Sequence, residues 1–188
     1  MAWIVVVLGY LLGSFPTAYI AGRLTHGVDI RQLGDGNAGA QNAFRQLGAG
    51  VGLVVVFIDA AKGAAAVIIA QAAGLSQVTV FITGAVAVIG HNWPVFLGFR
   101  GGRGEATTIG ILYKLMPLPM LIVTGPAVLA LVLKRNVELS SVIAFVPLPL
   151  VCWWLGTSGA LIAYSLALLM LVGFTHVLRT RSPVIRQA

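Results

Sequence analysis

The sequence predicts an all-α, polytopic membrane protein, and three observations carry that reading. Of its 188 residues 59% are hydrophobic and 9% charged, with a mean hydropathy of +0.97, an apolar content that soluble domains rarely reach. Several apolar runs approach the ~20 residues needed to cross a bilayer as helix. Lysine and arginine gather in alternate connections, while "GLSQ", "PLP" and "GTSG" contain none, the asymmetry left by retention of positive charge in the cytoplasm. The expectation is about seven spans in one domain over residues 1–188, with the N-terminus outside and the C-terminus cytoplasmic.

The elements follow in order. Residues 3–21 read as a retained first span, since Arg23 follows the apolar run and no basic region precedes it. Residues 22–48 form a polar connection rich in Gly and Asn, ordered by Asx turns and a short helix. A second span runs over about 51–73, carrying Asp59 and Lys62 at i, i+3 on one helical face, where they pair near the interface. A third occupies about 78–93. Residues 105–133 allow one long helix or a hairpin; Pro117 and Pro119 favour a break, since proline removes donors and kinks helices. The first arm of that hairpin, 105–116, is only ~18 Å long, so it starts below the membrane surface. Spans at about 139–155 and 160–178 complete the set, and the tail "RTRSPVIRQA" is basic.

The net charge of +7 is absorbed by this topology and calls for no nucleic acid. One cysteine, Cys152, excludes an intrachain disulfide. No CxxC, HExxH or paired-carboxylate pattern calls for a metal, and no Ser-His-Asp or Cys-His arrangement stands out.

Two polar segments stand apart. In "GFRGGRGE", glycines at 98, 101, 102 and 104 permit positive φ and close backbone approach. A helix beginning near Glu105 would aim free N–H groups at the same spot. Arg100 and Arg103 add forked donors suited to phosphate. With Gly101, Gly102 and Gly104 this describes an anion cradle; the plainer alternative is a basic turn that obeys the topology rule. It is not a Walker A loop, which needs GK[ST] after a strand. In "LGDGNAGAQNAFRQLG", Gly36 alternates with Asp35, Asn37, Gln41 and Asn42, and Arg45 follows. These amides and this cation suit phosphate or carbonyl oxygens; the alternative is a string of Asx turns capping a helix. His91 lies nearest the cradle, as a ligand contact or a structural hydrogen bond. Ser141 starts the helix after Lys134 and Arg135.

The segments "LLGSFPTAYIAGRL…VDIRQLGDGNAGAQNAFRQLG", "GHNWPVFLGFRGGRGEATTIG" and "KRNVELSSVIA" resemble, in order and spacing, the three cytoplasmic motifs of the integral membrane glycerol-3-phosphate acyltransferases of bacteria, the PlsY family. The resemblance implies seven helices in the bacterial inner membrane with a cytoplasmic active face. It implies transfer of a fatty acyl group from acyl-phosphate to the 1-hydroxyl of glycerol-3-phosphate, giving lysophosphatidic acid, with no cofactor and no acyl-enzyme. By the match, Arg45 and Arg103 neutralise phosphates, and Asn37 and Asn42 orient donor or oxyanion. Ser141 contacts the acceptor, and the acyl tail lies between helices amid membrane lipid. The chain departs from the family pattern at Asp35 (serine in GSGN), Gln41 (threonine in GATN), Arg103 (lysine in GGKG), Glu105 and Glu138. The family's tail histidine and asparagine align near Thr180 and Pro183. Asp35 beside phosphates is repulsive unless paired with an arginine, or it serves as a base for the acceptor hydroxyl. Competing readings are a non-catalytic binder of acyl-phosphate or phospholipid and an anion transporter; glycine and proline interruptions favour the latter. Oligomeric state is not legible.

Overall fold

The computed structural model describes residues 1–181, with side chains to Arg179. The family positions aligned with Thr180 and Pro183, and the tail beyond Arg181, lie outside the described side chains. The described residues fold into helices α1 (Ala2–Ser14), α2 (Thr17–His26), α3 (Ala40–Leu47), α4 (Ala49–Ala72), α5 (Gln77–Asn92), α6 (Glu105–Leu115), α7 (Pro117–Lys134), α8 (Val137–Phe145), α9 (Leu148–Trp154) and α10 (Gly159–Arg181). Two 3-10 turns, Ile30–Gln32 and Val95–Leu97, complete the regular structure. Large apolar side chains such as Trp3, Phe57, Trp153 and Met170 point outward, as expected where the solvent is lipid and backbone groups pair within helices.

Six stretches are long and apolar enough to cross a membrane: Ala2–His26, Ala49–Ala72, Gln77–Leu97, Pro117–Lys134, Val137–Trp154 and Gly159–Arg179. The expected short arm is α6, whose 11 residues rise only about 16 Å. The hairpin reading of 105–133 holds: α6 stops at Leu115 and α7 starts at Pro117. Proline is tolerated at a helix start because its missing N–H would have no intrahelical partner there. Two spans expected as continuous helices are broken instead, the first at Phe15–Pro16 and another at Val146–Pro147. Each break again falls at a proline.

The chain divides into two compact units, residues 1–111 with 171–188, and residues 112–170. In the first unit α1 packs closely on α5: a side chain at Gly13 would overlap the carbonyl of Ala87. The break at Pro16 frees the Phe15 carbonyl, which accepts from Thr17 N–H at 3.0 Å and from Lys62 Nζ at 3.0 Å. Lys62 also pairs with Asp59 at 2.8 Å, and Thr17 Oγ1 donates to the same carboxylate at 2.8 Å. The i, i+3 spacing therefore does put both charges on one face, but that face is enclosed: Asp59 and Lys62 are buried. A paired, hydrogen-bonded arrangement is the form in which buried charge is tolerated.

In the second unit Asn136 caps α8 by accepting from Leu139 N–H at 3.0 Å. Ser140 Oγ donates to the Ala127 carbonyl at 2.7 Å, one turn after the internal Pro126 of α7. Cys152 is buried against Met116, with the sulfurs 3.5 Å apart. Ser141 lies on α8, and its hydroxyl donates back to the Val137 carbonyl at 2.9 Å.

Candidate active site

The first wall of the site is the connection from α2 to α3. Asp29 opens the 3-10 turn by accepting from Arg31 N–H at 3.0 Å and pairs with the Arg31 guanidinium at 2.7 Å. The side-chain hydrogen bond from Arg31 holds the Asp29 carboxyl below the usual carboxylate range; the same bond pushes Arg31 up. Arg31 Nη1 also donates to the Leu97 carbonyl at 3.0 Å, tying this connection to the one after α5. Beyond it the chain reverses at Gly34 and Gly36, both in the left-handed region with φ of 58° and 70°. Asn42 is buried, and its amide nitrogen lies 3.0–3.1 Å from the carbonyls of Ile30, Leu33 and Asn37. The sequence reading had Asn42 orient a donor or oxyanion. In the structure its N–H groups are taken by the connection itself, and it holds that connection in shape.

The second wall is the glycine loop. After α5 the chain turns at Pro94 and passes through Gly98 and Phe99, with φ of 60° and 63°, before reaching Gly101. The expected role for these glycines changes in one respect. The N–H groups of Gly101 and Gly102 do not face outward as cradle donors; they donate to the carbonyls of Asn92 at 3.3 Å and His91 at 3.0 Å. α5 ends at Asn92, so its last carbonyls lack intrahelical donors and take the loop's instead. Glycine is required because a side chain at Gly101 would overlap the His91 carbonyl and Pro94, and one at Gly102 would overlap the His91 ring. His91, expected as a ligand contact, is buried beneath the loop with Nδ1 3.6 Å from Asp59. The structural alternative for His91 is the one the geometry matches.

The two walls meet. Ala38 N–H donates to the Gly101 carbonyl at 3.4 Å, and a side chain at Gly39 would touch the Cα of Gly102. Arg103 spans the join: Nη2 lies 2.9 Å from Asp35 Oδ2, and Nη1 donates to Gln41 Oε1 at 3.1 Å. Asp35 Oδ1 in turn accepts from Asn37 N–H at 3.1 Å. Arg45 is exposed four residues after Gln41 on α3, hence on the same helical face and about 6 Å along the axis. Arg100 is exposed as well. Gly104 takes a φ of 84° and leads into α6, with Glu105 in its first turn, a placement that suits the helix dipole. Of the expected site residues, Asp35, Gly36, Asn37, Asn42, Arg45, His91, Arg100, Gly101, Gly102, Arg103 and Gly104 all belong to the first unit. Ser141 belongs to the second.

Arg179 near the end of α10 was missed. Its guanidinium donates to the carbonyls of Gly101 and Asn92, and its charged neighbours include Arg103, Arg100 and Asp35. In sequence it is one cation of a basic tail, with no local motif to set it apart. Gln41 was noted only as a departure from the family pattern, yet it is a direct partner of Arg103.

This chain is similar to known proteins along nearly its whole length. A family model described as glycerol-3-phosphate acyltransferase matches residues 3–184. "Glycerol-3-phosphate acyltransferase 4" of Dehalococcoides mccartyi is 50% identical over 181 residues, covering 96% of this chain and 98% of that protein. "Glycerol-3-phosphate acyltransferase" of a Synechococcus species is 40% identical over 173 residues, covering 92% and 86%. Among solved structures, the glycerol 3-phosphate form of PlsY (YgiH), an integral membrane glycerol 3-phosphate acyltransferase, superposes with a TM-score of 0.84 at 32% identity, covering 95% of this chain and 90% of that one. The lysophosphatidic acid form of PlsY superposes with a TM-score of 0.81, covering 93% and 87%. With these matches and the apolar helices described above, the chain belongs to the integral membrane glycerol-3-phosphate acyltransferase family.

Proposed function

We propose that this protein transfers a fatty acyl group from acyl-phosphate to the 1-hydroxyl of glycerol-3-phosphate, making lysophosphatidic acid and inorganic phosphate. The reaction takes place at the cytoplasmic face of a bacterial plasma membrane, with the N-terminus outside and the acyl tail among membrane lipid. The acceptor oxygen attacks the carbonyl carbon of the mixed anhydride, a C–O ester bond forms, and the C–O bond to phosphate breaks. The hydroxyl proton leaves on the departing phosphate, so no further reactant is consumed.

The single observation that carries this reading is the arrangement around Arg103. One guanidinium bridges the two polar segments through Asp35 and Gln41, and Arg45 extends from the α3 face that bears Gln41. Both substrates carry phosphate, and acyl-phosphate is already activated. Fixed charge and positioning are therefore the catalysis the reaction needs. Arg103 neutralises phosphate, with Arg45 and Arg100 adding charge. Asn37 orients the reactants, and Ser141 is the acceptor contact that the family pattern supplies. Two similar structures, in glycerol 3-phosphate and lysophosphatidic acid forms, support the choice of acceptor and product.

The test is direct: purified protein in lipid nanodiscs, acyl-phosphate and labelled glycerol-3-phosphate, with lysophosphatidic acid and inorganic phosphate followed together. Equimolar formation of both, lost in Arg103→Ala, is the expected result. Phosphate release without lysophosphatidic acid, or no turnover with folded protein, would overturn it.

A further inference from the structure

Asp35 occupies the position on Arg103 that a phosphate oxygen would take. Its Oδ2 lies 2.9 Å from Nη2, and its other oxygen is held by the Asn37 N–H. Around this pair three enclosed side-chain atoms have no partner: Arg103 Nε, Gln41 Nε2 and Asn37 Oδ1. Two are donors and one is an acceptor, and buried polar atoms are seldom left unmatched. A phosphate ester that also bears a hydroxyl offers acceptors to the first two and a donor to the third. The carboxylate is the more exposed partner, 31% against 12% for Arg103, so it is the group that can leave.

We propose that Asp35 is an exchangeable internal counter-ion. It neutralises Arg103 while the site is empty, gives way to the substrate phosphate, and returns to displace the phosphate of the product. Phosphate binding is thereby weakened and product release made faster. This rests on reading the Arg103 loop as the phosphate-binding part of the acyltransferase site. It assigns Asp35 a role opposite to that of a proton-accepting base: the base is needed for turnover, whereas the counter-ion sets how tightly phosphate is held.

The experiment measures inorganic phosphate binding to the purified full chain in nanodiscs by calorimetry, with no acyl donor present. Wild type is compared with Asp35→Asn, Asp35→Ser, Arg103→Gln and the double variant Asp35→Asn/Arg103→Gln. Asparagine and serine both keep an acceptor for the Asn37 N–H, and thermal melts identify the variants that fold. Removing the competing carboxylate should tighten phosphate binding about 5- to 30-fold, the range for a partly exposed charge pair. In the Arg103→Gln background the same change should have no effect, an outcome that a purely structural role for Asp35 would not produce. Where turnover is followed, kcat and KM should fall together in Asp35→Asn. Unchanged or weaker phosphate binding in both folded Asp35 variants overturns the proposal, as does loss of kcat with affinity unaltered. Tightened phosphate binding supports it whatever the acyl-transfer assay returns; failed acyl transfer counts only against the acyltransferase reading.

Discussion

Removing one partner of the buried Asp59–Lys62 pair should cost far more than removing both. Asp59 is 1% exposed and Lys62 7%. Lys62→Met leaves the carboxylate with the Thr17 hydroxyl and, at 3.6 Å, His91, while Asp59 Oδ2 already lacks a partner. It also strips the Phe15 carbonyl of its lysine donor at the α1–α2 break. An uncompensated charge so enclosed costs about 3–5 kcal/mol, and Asp59→Leu alone, which strands the ammonium, should cost a similar amount. In a chain of this length that is a fall in Tm of about 6–20 °C. The double variant Asp59→Leu/Lys62→Met strands no charge and leaves only the Thr17 hydroxyl and Phe15 carbonyl short of a partner, about 1–2 kcal/mol in all. The assay is thermal unfolding in nanodiscs followed by tryptophan fluorescence, arranged as a double-mutant cycle. A double variant as unstable as the sum of the two singles would refute the reasoning, because the charges would then be acting independently.

Three further outcomes are expected. Gly13→Ala should destabilise by about 1–3 kcal/mol by forcing α1 off α5, whereas Gly125→Ala, which meets open space, should change Tm by no more than about 1–2 °C. The folded-state pKa of Asp29 lies below the ordinary value of 3.8, so its pairing stabilises the protein above that value, and the gain is lost as pH falls through the folded pKa. Asp29→Asn should therefore lower Tm at neutral pH and match wild type at the acid end of a pH series. Arg179→Lys should lower kcat/KM roughly tenfold, since a single ammonium cannot hold two carbonyls in the fixed geometry of a guanidinium; an unchanged value would remove Arg179 from the site.

Much of the fold was legible because apolar length and proline are strong signals. The hairpin at Pro117 followed from proline chemistry, and the same chemistry at Pro16 and Pro147 explains two breaks that hydropathy alone smooths over. The meeting of the two polar segments was legible as shared character, and the Asp35–Arg103 pair as one of two readings of a carboxylate among phosphates. What the glycines do was not legible. A glycine run reads equally as N–H groups facing a ligand or as clearance for a neighbouring helix, and only the position of His91 under Gly102 decides between them. Arg179 was hidden for a different reason: its partners are two carbonyls some eighty residues earlier, and backbone oxygens carry no sequence signature. Asp59 and Lys62 were correctly paired, but helical spacing says nothing about what covers the face they share.

The fastening of Gly101 and Gly102 to the end of α5 bears on the thermodynamics of recognition. A loop secured by its own helix's carbonyls is in place before any reactant arrives, so association need not include the entropy of ordering it. Affinity can then stay modest while geometry stays exact enough for chemistry, which suits a catalyst that must let go of a greasy product at every turnover.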